Sequence, residues 1–376
     1  MYSVFQEIEK LREGRSFQIN EALTDRYTLR CQDTFGAKTA YCFSVPIRNI
    51  NTNDIVDLKF YHNSRSSTFF GSEAKISVSD KIRFFNEYGK CDVLLPGAIS
   101  KKTENAIFFK DGTSSIEIRP TLNGVILLFD SYLTSGSATI KLQFDRSYEL
   151  VQTNNKYFSA MREKFIPFIT ASCIGMMNAT GRVRAPCEVY NQKINDFEYI
   201  LTFASASKSK DRIAVEINMQ EPKLFQDTTV ESNHPTTNNA FGGISFLGTS
   251  RAFGEQWLYS RINLASLALM QSKKITKSIL HIPKLSCNTS PIAVYKMAER
   301  FCSFGSNWQN KIAITDTVTV ATASNGYYHL DLTKLLGNIL KKSESFVIRA
   351  NTSSNPVIIP TGDSFYSPQI FEVTYH

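Results

Sequence analysis

The feature that most constrains the fold of this chain is a series of short strand-like runs, separated by turn residues instead of by helices. Between residues 17 and 150, apolar and polar residues alternate in runs that recur at intervals of roughly ten residues. In one of these runs, Ile140, Leu142 and Phe144 fall on one face. Consecutive strands of this kind predict an all-β fold of antiparallel sandwiches and exclude a doubly wound α/β fold.

The length of the chain, 376 residues, is enough for two or three domains. A break in the strand pattern near Pro222 marks the expected boundary before the C-terminal part. We predict two antiparallel, jelly-roll-like β-sandwiches with short N-terminal and linker helices. The predicted segments are a helical arm (1–16), an N-terminal sandwich (17–156), a β-rich connecting region that is either separate or part of that sandwich (157–220), and a C-terminal sandwich (221–376).

The first predicted helix covers residues 3–14. Its apolar side chains, Val4, Phe5, Ile8 and Leu11, recur at helical spacing and define one face. An apolar face at this position suits either packing on its own domain or docking on a neighbouring subunit. We take self-association, or association with other assembly subunits, through this arm as the expected partner interaction.

Two further short helices are expected. One is predicted around residues 157–165. The other is predicted over 332–342, where Thr333 can cap the N-terminus and Lys341 and Lys342 suit the C-terminus.

The seven cysteines are odd in number, and no two have Cys-x-x-Cys spacing. We expect reduced and mostly buried thiols. The five histidines show no ligand spacing, so we expect no zinc site and no cofactor.

The formal net charge of +8 is spread along the chain. Its densest groups are Lys273, Lys274 and Lys277, and the pair Lys341 and Lys342. A nucleic-acid-binding protein usually concentrates basic residues on one face or arm, so we expect solvated lysines and no specific nucleic acid.

The N-terminal residues are charged and lack the apolar core of a signal peptide, and no run of about 18 apolar residues occurs. We therefore expect synthesis in a cytoplasm without a cleaved signal peptide, with any exit by another route, and no membrane insertion. This fits a protein that functions in a virion or on a cell or spore surface.

The C-terminal part carries a series of unusual local signatures. They are Asp227-Thr228-Thr229-Val230, the asparagines Asn233, Asn238 and Asn239, Leu247-Gly248, the strand Trp257–Leu264 with its Arg261, Ile275–Leu280, Ser306-Asn307-Trp308, Asp331-Leu332-Thr333 and Tyr366–Val373. Their order resembles the DNRLRE-type modules, which are related to the family 96 carbohydrate-binding modules. The resemblance covers about residues 225–376 and departs from the family where Ile262-Asn263-Leu264 replaces Phe-Asp-Leu. It implies a jelly-roll domain from bacterial surface, secreted or phage-associated proteins, while residues 1–220 resemble no known family.

Both tryptophans of the chain lie in this C-terminal part. Trp257, Tyr259, Phe304 and Trp308 could form a platform on which sugar rings stack, with Asn307 among the groups that satisfy hydroxyls. The alternative is that these aromatic side chains fill the sandwich core, since buried tryptophan is common there.

Other constellations point to structural roles. Asp227, Asp331 and Asp363 could supply oxygens to a calcium ion, but they lack the spacing of a calcium loop. Glu255 has no second acid nearby, which glycoside hydrolysis would need. His329 alternates with Tyr328 and Leu330 and is expected to be a surface or satisfied core residue.

These observations predict a non-enzymatic structural and binding protein, a subunit of a bacterial or phage surface assembly, whose outward C-terminal jelly roll binds glycan. The first alternative is a free, lectin-like carbohydrate-binding protein. The second is a glycoside-active enzyme whose acids the fold brings together.

Overall fold

The computed structural model describes residues 4–20, 25–34, 36–112, 114–130, 136–153, 156–163, 166–205, 211–219, 224–263, 273–337 and 344–376. The chain divides into two compact units. Unit 1 comprises Arg48–Glu221, and unit 2 comprises Tyr2–Ile47 together with Pro222–His376. The chain therefore starts unit 2, builds unit 1 and returns to complete unit 2.

Strands dominate both units. The first part of unit 2 contains α1 (Val4–Leu11), β1 (Phe17–Ile19), β2 (Thr28–Asp33) and β3 (Lys38–Phe43). Unit 1 contains β4 (Tyr61–His62), β5 (Ser67–Phe70), β6 (Lys75–Val78), β7 (Lys81–Asn86), β8 (Gly89–Leu94), β9 (Ala98–Thr103), β10 (Ala106–Asp111), β11 (Ser114–Thr121), β12 (Gly124–Phe129), β13 (Ser137–Phe144), β14 (Glu149–Thr153), β15 (Tyr157–Glu163), β16 (Ile166–Met177), β17 (Val183–Ala185), β18 (Glu188–Asn195), β19 (Glu198–Ala204) and β20 (Arg212–Met219). The second part of unit 2 contains β21 (Phe225–Glu231), β22 (Ile244–Ser250), β23 (Gly254–Ile262), β24 (Ile275–Pro283), β25 (Ile292–Met297), β26 (Ile314–Ala321), β27 (Ala323–Ser324), β28 (Tyr327–Asp331), α2 (Thr333–Leu336), β29 (Ser345–Ala350), β30 (Val357–Pro360) and β31 (Ile370–Tyr375).

Unit 1 is built from two antiparallel sheets. One has the order β14-β15-β16-β20-β12-β11-β10-β9, with β17 paired to β16, and the other has the order β18-β19-β13-β8-β7-β6-β5-β4. Along β13, Ile140, Leu142 and Phe144 are buried and alternate with more exposed residues, as predicted. One face of this strand therefore contributes to the core of unit 1.

The structure divides the chain differently from the predicted domains. Residues 17–47 belong to unit 2 instead of an N-terminal sandwich. Residues 157–220 do not stand apart, because β16 and β20 lie at the centre of a sheet in which Val125 pairs with Ile217. These pairings join strands that are distant in sequence, so local patterning does not reveal them.

Unit 2 is a sandwich of two sheets. Its first sheet has the order β1-β2-β3-β31-β24-β28-β27, and its second has the order β26-β25-β29-β23-β22-β30, with β21 paired to β23. The first and last parts of the chain meet where β3 pairs with β31, for example at Thr39 and Thr374. Both sheets contribute to one buried core, which includes Cys42, Leu258 and Phe371.

Helix α1 packs within unit 2. Val4, Glu7 and Ile8 are buried, and the Tyr327 hydroxyl donates to Glu7 Oε2. Phe5, which was predicted to share the apolar face, is instead 38% exposed. The buried face therefore combines apolar residues with a carboxylate.

The helix predicted around 157–165 is wrong over its described part, because β15 runs over Tyr157–Glu163 and pairs with β14 and β16. A central strand buried on both faces reads as a continuous apolar run, which periodicity does not distinguish from a helix.

Of the helix predicted over 332–342, α2 forms only Thr333–Leu336, and residues 338–343 lie outside the described residues. Its N-cap is Leu332, which makes no side-chain capping bond. Thr333 is not the cap, and its Oγ1 accepts a hydrogen bond from the Ser278 N–H at 3.0 Å.

The all-β fold class is confirmed, with few and short helices. None of the helices in the described part of the chain has the length and apolarity needed to span a membrane. All seven cysteines are free thiols, and five of them are buried.

Candidate functional site

The two sequence-predicted aromatic residues on β23 point away from the sandwich core. Side chains alternate along a strand. Leu258 faces the main core of unit 2, so Trp257 and Tyr259 lie on the opposite face of the same sheet. There they join a second buried cluster with Val230, Met297, Phe301 and Val347.

This second cluster is covered by the segment 301–312, which we call the Trp308 loop. The loop is fixed by hydrogen bonds to the segment 235–238. Asn238 Nδ2 donates to the carbonyls of Ser303 and Ser306 at 2.5 and 2.8 Å, and the Gln309 N–H donates to the Pro235 carbonyl at 2.8 Å. Asn307 and Asn310 each accept a hydrogen bond from the backbone N–H of the other. The loop is therefore tied down both by its own asparagines and by the segment 235–238.

Trp308, which belongs to the loop, packs against Trp257, which lies beneath the loop. The two ring centroids are 5.2 Å apart, and the rings are tilted at 63° in an edge-to-face arrangement. Trp257 is only 8% exposed, whereas Trp308 is partly buried. The pair is thus anchored by Trp257 and reaches the surface through Trp308.

Two cations lie over these rings. Lys311 Nζ is 4.2 Å from the Trp308 centroid and 5.1 Å from that of Trp257, and Arg349 Cζ is 4.2 Å from the Trp257 centroid. Such cation–π contacts favour cations at the ring faces. Glu255 accepts hydrogen bonds from Trp257 Nε1 at 2.8 Å and from Arg349 Nη2 at 3.0 Å, which neutralises Arg349. Lys311, which is exposed, is the cation that a ligand at Trp308 would meet.

The remaining predicted site residues divide between core and surface. Tyr259 is fully buried, its oxygen accepts from the Ile312 N–H at 3.1 Å, and burial raises its pKa. Tyr259 and Trp257, two of the predicted ligand-contacting residues, are 0% and 8% exposed and lie in the buried cluster beneath the Trp308 loop. Phe304 is 39% exposed and lies 5.6 Å from Phe241 between centroids.

The residues considered for other chemistry have local roles. Asp227 accepts from the Gly362 N–H, and Asp331 accepts from the Thr333 N–H at 2.9 Å. Within the described residues, no group of three or more histidine, cysteine, aspartate or glutamate side chains could hold a metal ion.

A buried polar cluster in the first sheet of unit 2 was missed by sequence reasoning. His281 Nδ1 and His329 Nδ1 are 2.7 Å apart, and His281 Nε2 is 2.9 Å from Glu372 Oε2. Burial and the neighbouring His281 lower the pKa of His329. Burial raises the pKa of Glu372, but the hydrogen bond from His281 and the charges of His281, Lys277 and Arg12 together outweigh it, so that pKa lies below its usual value. His281, His329 and Glu372 lie on β24, β28 and β31 and meet only when these strands pair. The sequence itself shows only the alternation of residues within β24 and β28.

The chain was compared with family models and with curated proteins. No family model matches the chain, and no curated protein matches it.

Proposed function

We propose that the protein is a non-enzymatic structural and binding protein, and that unit 2 binds glycan at the Trp308 loop. The observation that carries the proposal is the partly exposed Trp308 ring, held in place by Trp257 and flanked by Asn307, Gln309 and Asn310. The apolar C–H face of a sugar ring stacks on such an aromatic ring, and the exposed Gln309 amide would satisfy a hydroxyl. The resemblance of the C-terminal part to carbohydrate-binding modules supports the same function.

The charge at the loop favours an acidic sugar. Lys311 lies over the exposed tryptophan, whereas Arg349 is already paired with Glu255. A carboxylate on the sugar ring would gain a charge-assisted hydrogen bond from Lys311. We therefore propose a polyuronate-type polysaccharide as the ligand class.

Tryptophan fluorescence tests this proposal. In a Trp257→Phe background, Trp308 is the remaining tryptophan of the chain. Titration with polygalacturonate should change its emission, and the neutral polysaccharides mannan and β-glucan should change it less. An emission spectrum unaffected by every polysaccharide would contradict glycan binding at this loop.

We further propose that the protein is a subunit of a bacterial or phage surface assembly, acting in a virion or on a cell surface. A free lectin-like protein is the second candidate, and it is favoured by one observation, since the N-terminal helix is docked on its own unit. Light scattering on the full-length protein and on a variant lacking residues 1–14 distinguishes the two. An assembly subunit should form a defined large oligomer that the deletion disrupts, whereas a lectin should remain small in both.

A further inference from the structure

Unit 1 exposes a set of aromatic and basic side chains on one face of its eight-stranded sheet. We call the set Tyr61, Phe70, Lys75, Phe85 and Lys90 the aromatic–lysine face. Tyr61, Phe70 and Phe85 are 54%, 47% and 54% exposed. Phe69, Phe84 and Asn86, the strand neighbours of Phe70 and Phe85, are buried instead, because side chains alternate between the faces of a sheet. The rings are therefore presented to solvent and are not part of the core.

The strand register places four of these residues in one row. Phe70 pairs with Lys75, Lys75 pairs with Phe85, and Phe85 pairs with Lys90 across four neighbouring strands. Neighbouring strands are about 4.8 Å apart, so the two phenylalanines are separated by about 10 Å with a lysine between them. Tyr61 extends the row diagonally, with its ring centroid 6.3 Å from that of Phe70.

The two lysines of the row are not held in ion pairs, and the carboxylate beside the row, Asp57, is bonded to Tyr61 at 3.3 Å. Lys75 Nζ lies 5.8 Å from the Phe70 ring centroid. No described carboxylate forms an ion pair with Lys75 or Lys90. In the next row, by contrast, Lys81 and Arg83 both bind Asp92, at 2.8 and 2.7 Å. The structure thus concentrates free cations beside exposed rings, although the charge is spread along the sequence.

We propose that the aromatic–lysine face binds single-stranded nucleic acid without sequence preference. Bases would stack on the exposed rings, and the lysines between them would neutralise phosphates, as in other single-strand-binding surfaces. A second copy of the chain fits less well, because a symmetric contact would bring Lys75 and Lys90 against like charges. A neutral glycan also fits less well, since the carboxylate beside the row, that of Asp57, already accepts a hydrogen bond from the Tyr61 hydroxyl at 3.3 Å.

Fluorescence anisotropy of full-length protein with a labelled dT12 oligonucleotide tests the proposal. Phe70→Ala with Phe85→Ala should weaken binding by about tenfold or more, because base stacking is lost. Lys75→Ala with Lys90→Ala should reduce the slope of log affinity against log salt by about 1.4 if both lysines neutralise phosphates. Thermal melting should show that these exposed substitutions leave the fold intact.

The matched aromatic control is Tyr190→Ala with Phe197→Ala, since these residues are 42% and 49% exposed at the other end of the same sheet. The control should bind dT12 like the wild type. Equal binding by the control and the Phe70→Ala, Phe85→Ala variant would overturn the proposal. Equal affinity for a duplex of the same length would also overturn it, because duplex bases cannot stack on the rings. The proposal would also be overturned if the same five residues bound polygalacturonate and did not bind dT12.

Trp308→Ala keeps this test separate from the proposed glycan site. This variant should bind dT12 normally and lose polygalacturonate binding. Loss of dT12 binding in Trp308→Ala would overturn the assignment to unit 1.

Discussion

At the scale of single residues, the side chain of Gln256 links two buried polar groups. It is fully buried, its Nε2 donates to Glu231 Oε2 at 2.7 Å, and its Oε1 accepts from the Phe246 N–H at 2.9 Å. Glu231 is also buried and accepts from His234 Nδ1 at 2.9 Å. The Gln256 amide therefore joins the Glu231 side chain on β21 to the Phe246 backbone on β22.

We expect Gln256→Leu to lower the free energy of unfolding by about 1–3 kcal/mol, because the buried Phe246 N–H loses its acceptor. Gln309→Leu, on the exposed Trp308 loop, should change it by less than about 0.5 kcal/mol. Urea unfolding followed by circular dichroism measures both. Similar stabilities for the two variants would contradict the role of Gln256.

Sequence reasoning left open whether Trp257 and Tyr259 contact a ligand or fill the sandwich core. Trp257 and Tyr259 alternate with Leu258, so the sequence shows that they share a face. It does not show which face is covered, because both faces of β23 are buried, one by the first sheet and one by the Trp308 loop. The roles of Trp308 as a surface residue and Tyr259 as a core residue depend on that long-range covering.

At the scale of elements, α1 is a packed part of unit 2. Its Ile8 is fully buried, whereas Phe5, three residues before it, is 38% exposed. We expect Ile8→Ala to cost about 2–5 kcal/mol, as for other buried large-to-small changes. Phe5→Ala should cost less than about 0.5 kcal/mol.

Thermal melting of the two α1 variants checks this expectation. If Phe5→Ala instead destabilised the protein and Ile8→Ala did not, the docked position of α1 would be wrong. If Phe5→Ala reduced only the oligomeric mass, the result would support the assembly role of the arm.

The cluster of His281, His329 and Glu372 should make the stability of unit 2 depend on pH. The folded-state pKa of His329 is lowered, so the unfolded chain binds a proton at a higher pH than the folded chain does. Stability should therefore decrease as the pH falls below about 6.5, the usual pKa of histidine. The lowered pKa of Glu372 acts in the same direction at more acidic pH.

We expect the melting temperature to fall between pH 7.5 and pH 5.5, and His329→Gln to reduce this fall. His376→Gln, an exposed histidine in the same unit, should retain the wild-type dependence. Differential scanning calorimetry at several pH values measures the melting temperatures of the wild type and both variants. An unchanged pH dependence in His329→Gln would contradict the assignment.

At the scale of the whole molecule, unit 2 is assembled from both parts of the chain. The sequence predicted the strands and their antiparallel class well, because alternation and turn residues are local. It did not predict that β3 pairs with β31, because residues 38–43 and 370–375 meet only in the folded state. The predicted C-terminal sandwich therefore lacked three of its strands and its helix α1.

This organisation predicts how fragments behave. A fragment of residues 222–376 should not fold stably, because β31 loses its partner β3 and the core loses Ala40 and Cys42. A fragment of residues 48–221 retains both sheets of unit 1 and should fold. Heteronuclear NMR spectra of the two fragments test this, and well-dispersed peaks from residues 222–376 alone would contradict it.

The most direct test of the proposed function is a calorimetric titration of the full-length protein with polygalacturonate. The account predicts saturable binding that Trp308→Ala weakens at least about tenfold, or ~1.4 kcal/mol, and that Lys311→Ala also weakens. Tyr190→Ala, an exposed aromatic substitution in unit 1, should bind like the wild type. Equal binding by the wild type and Trp308→Ala, or no binding to any polysaccharide tested, would contradict the account.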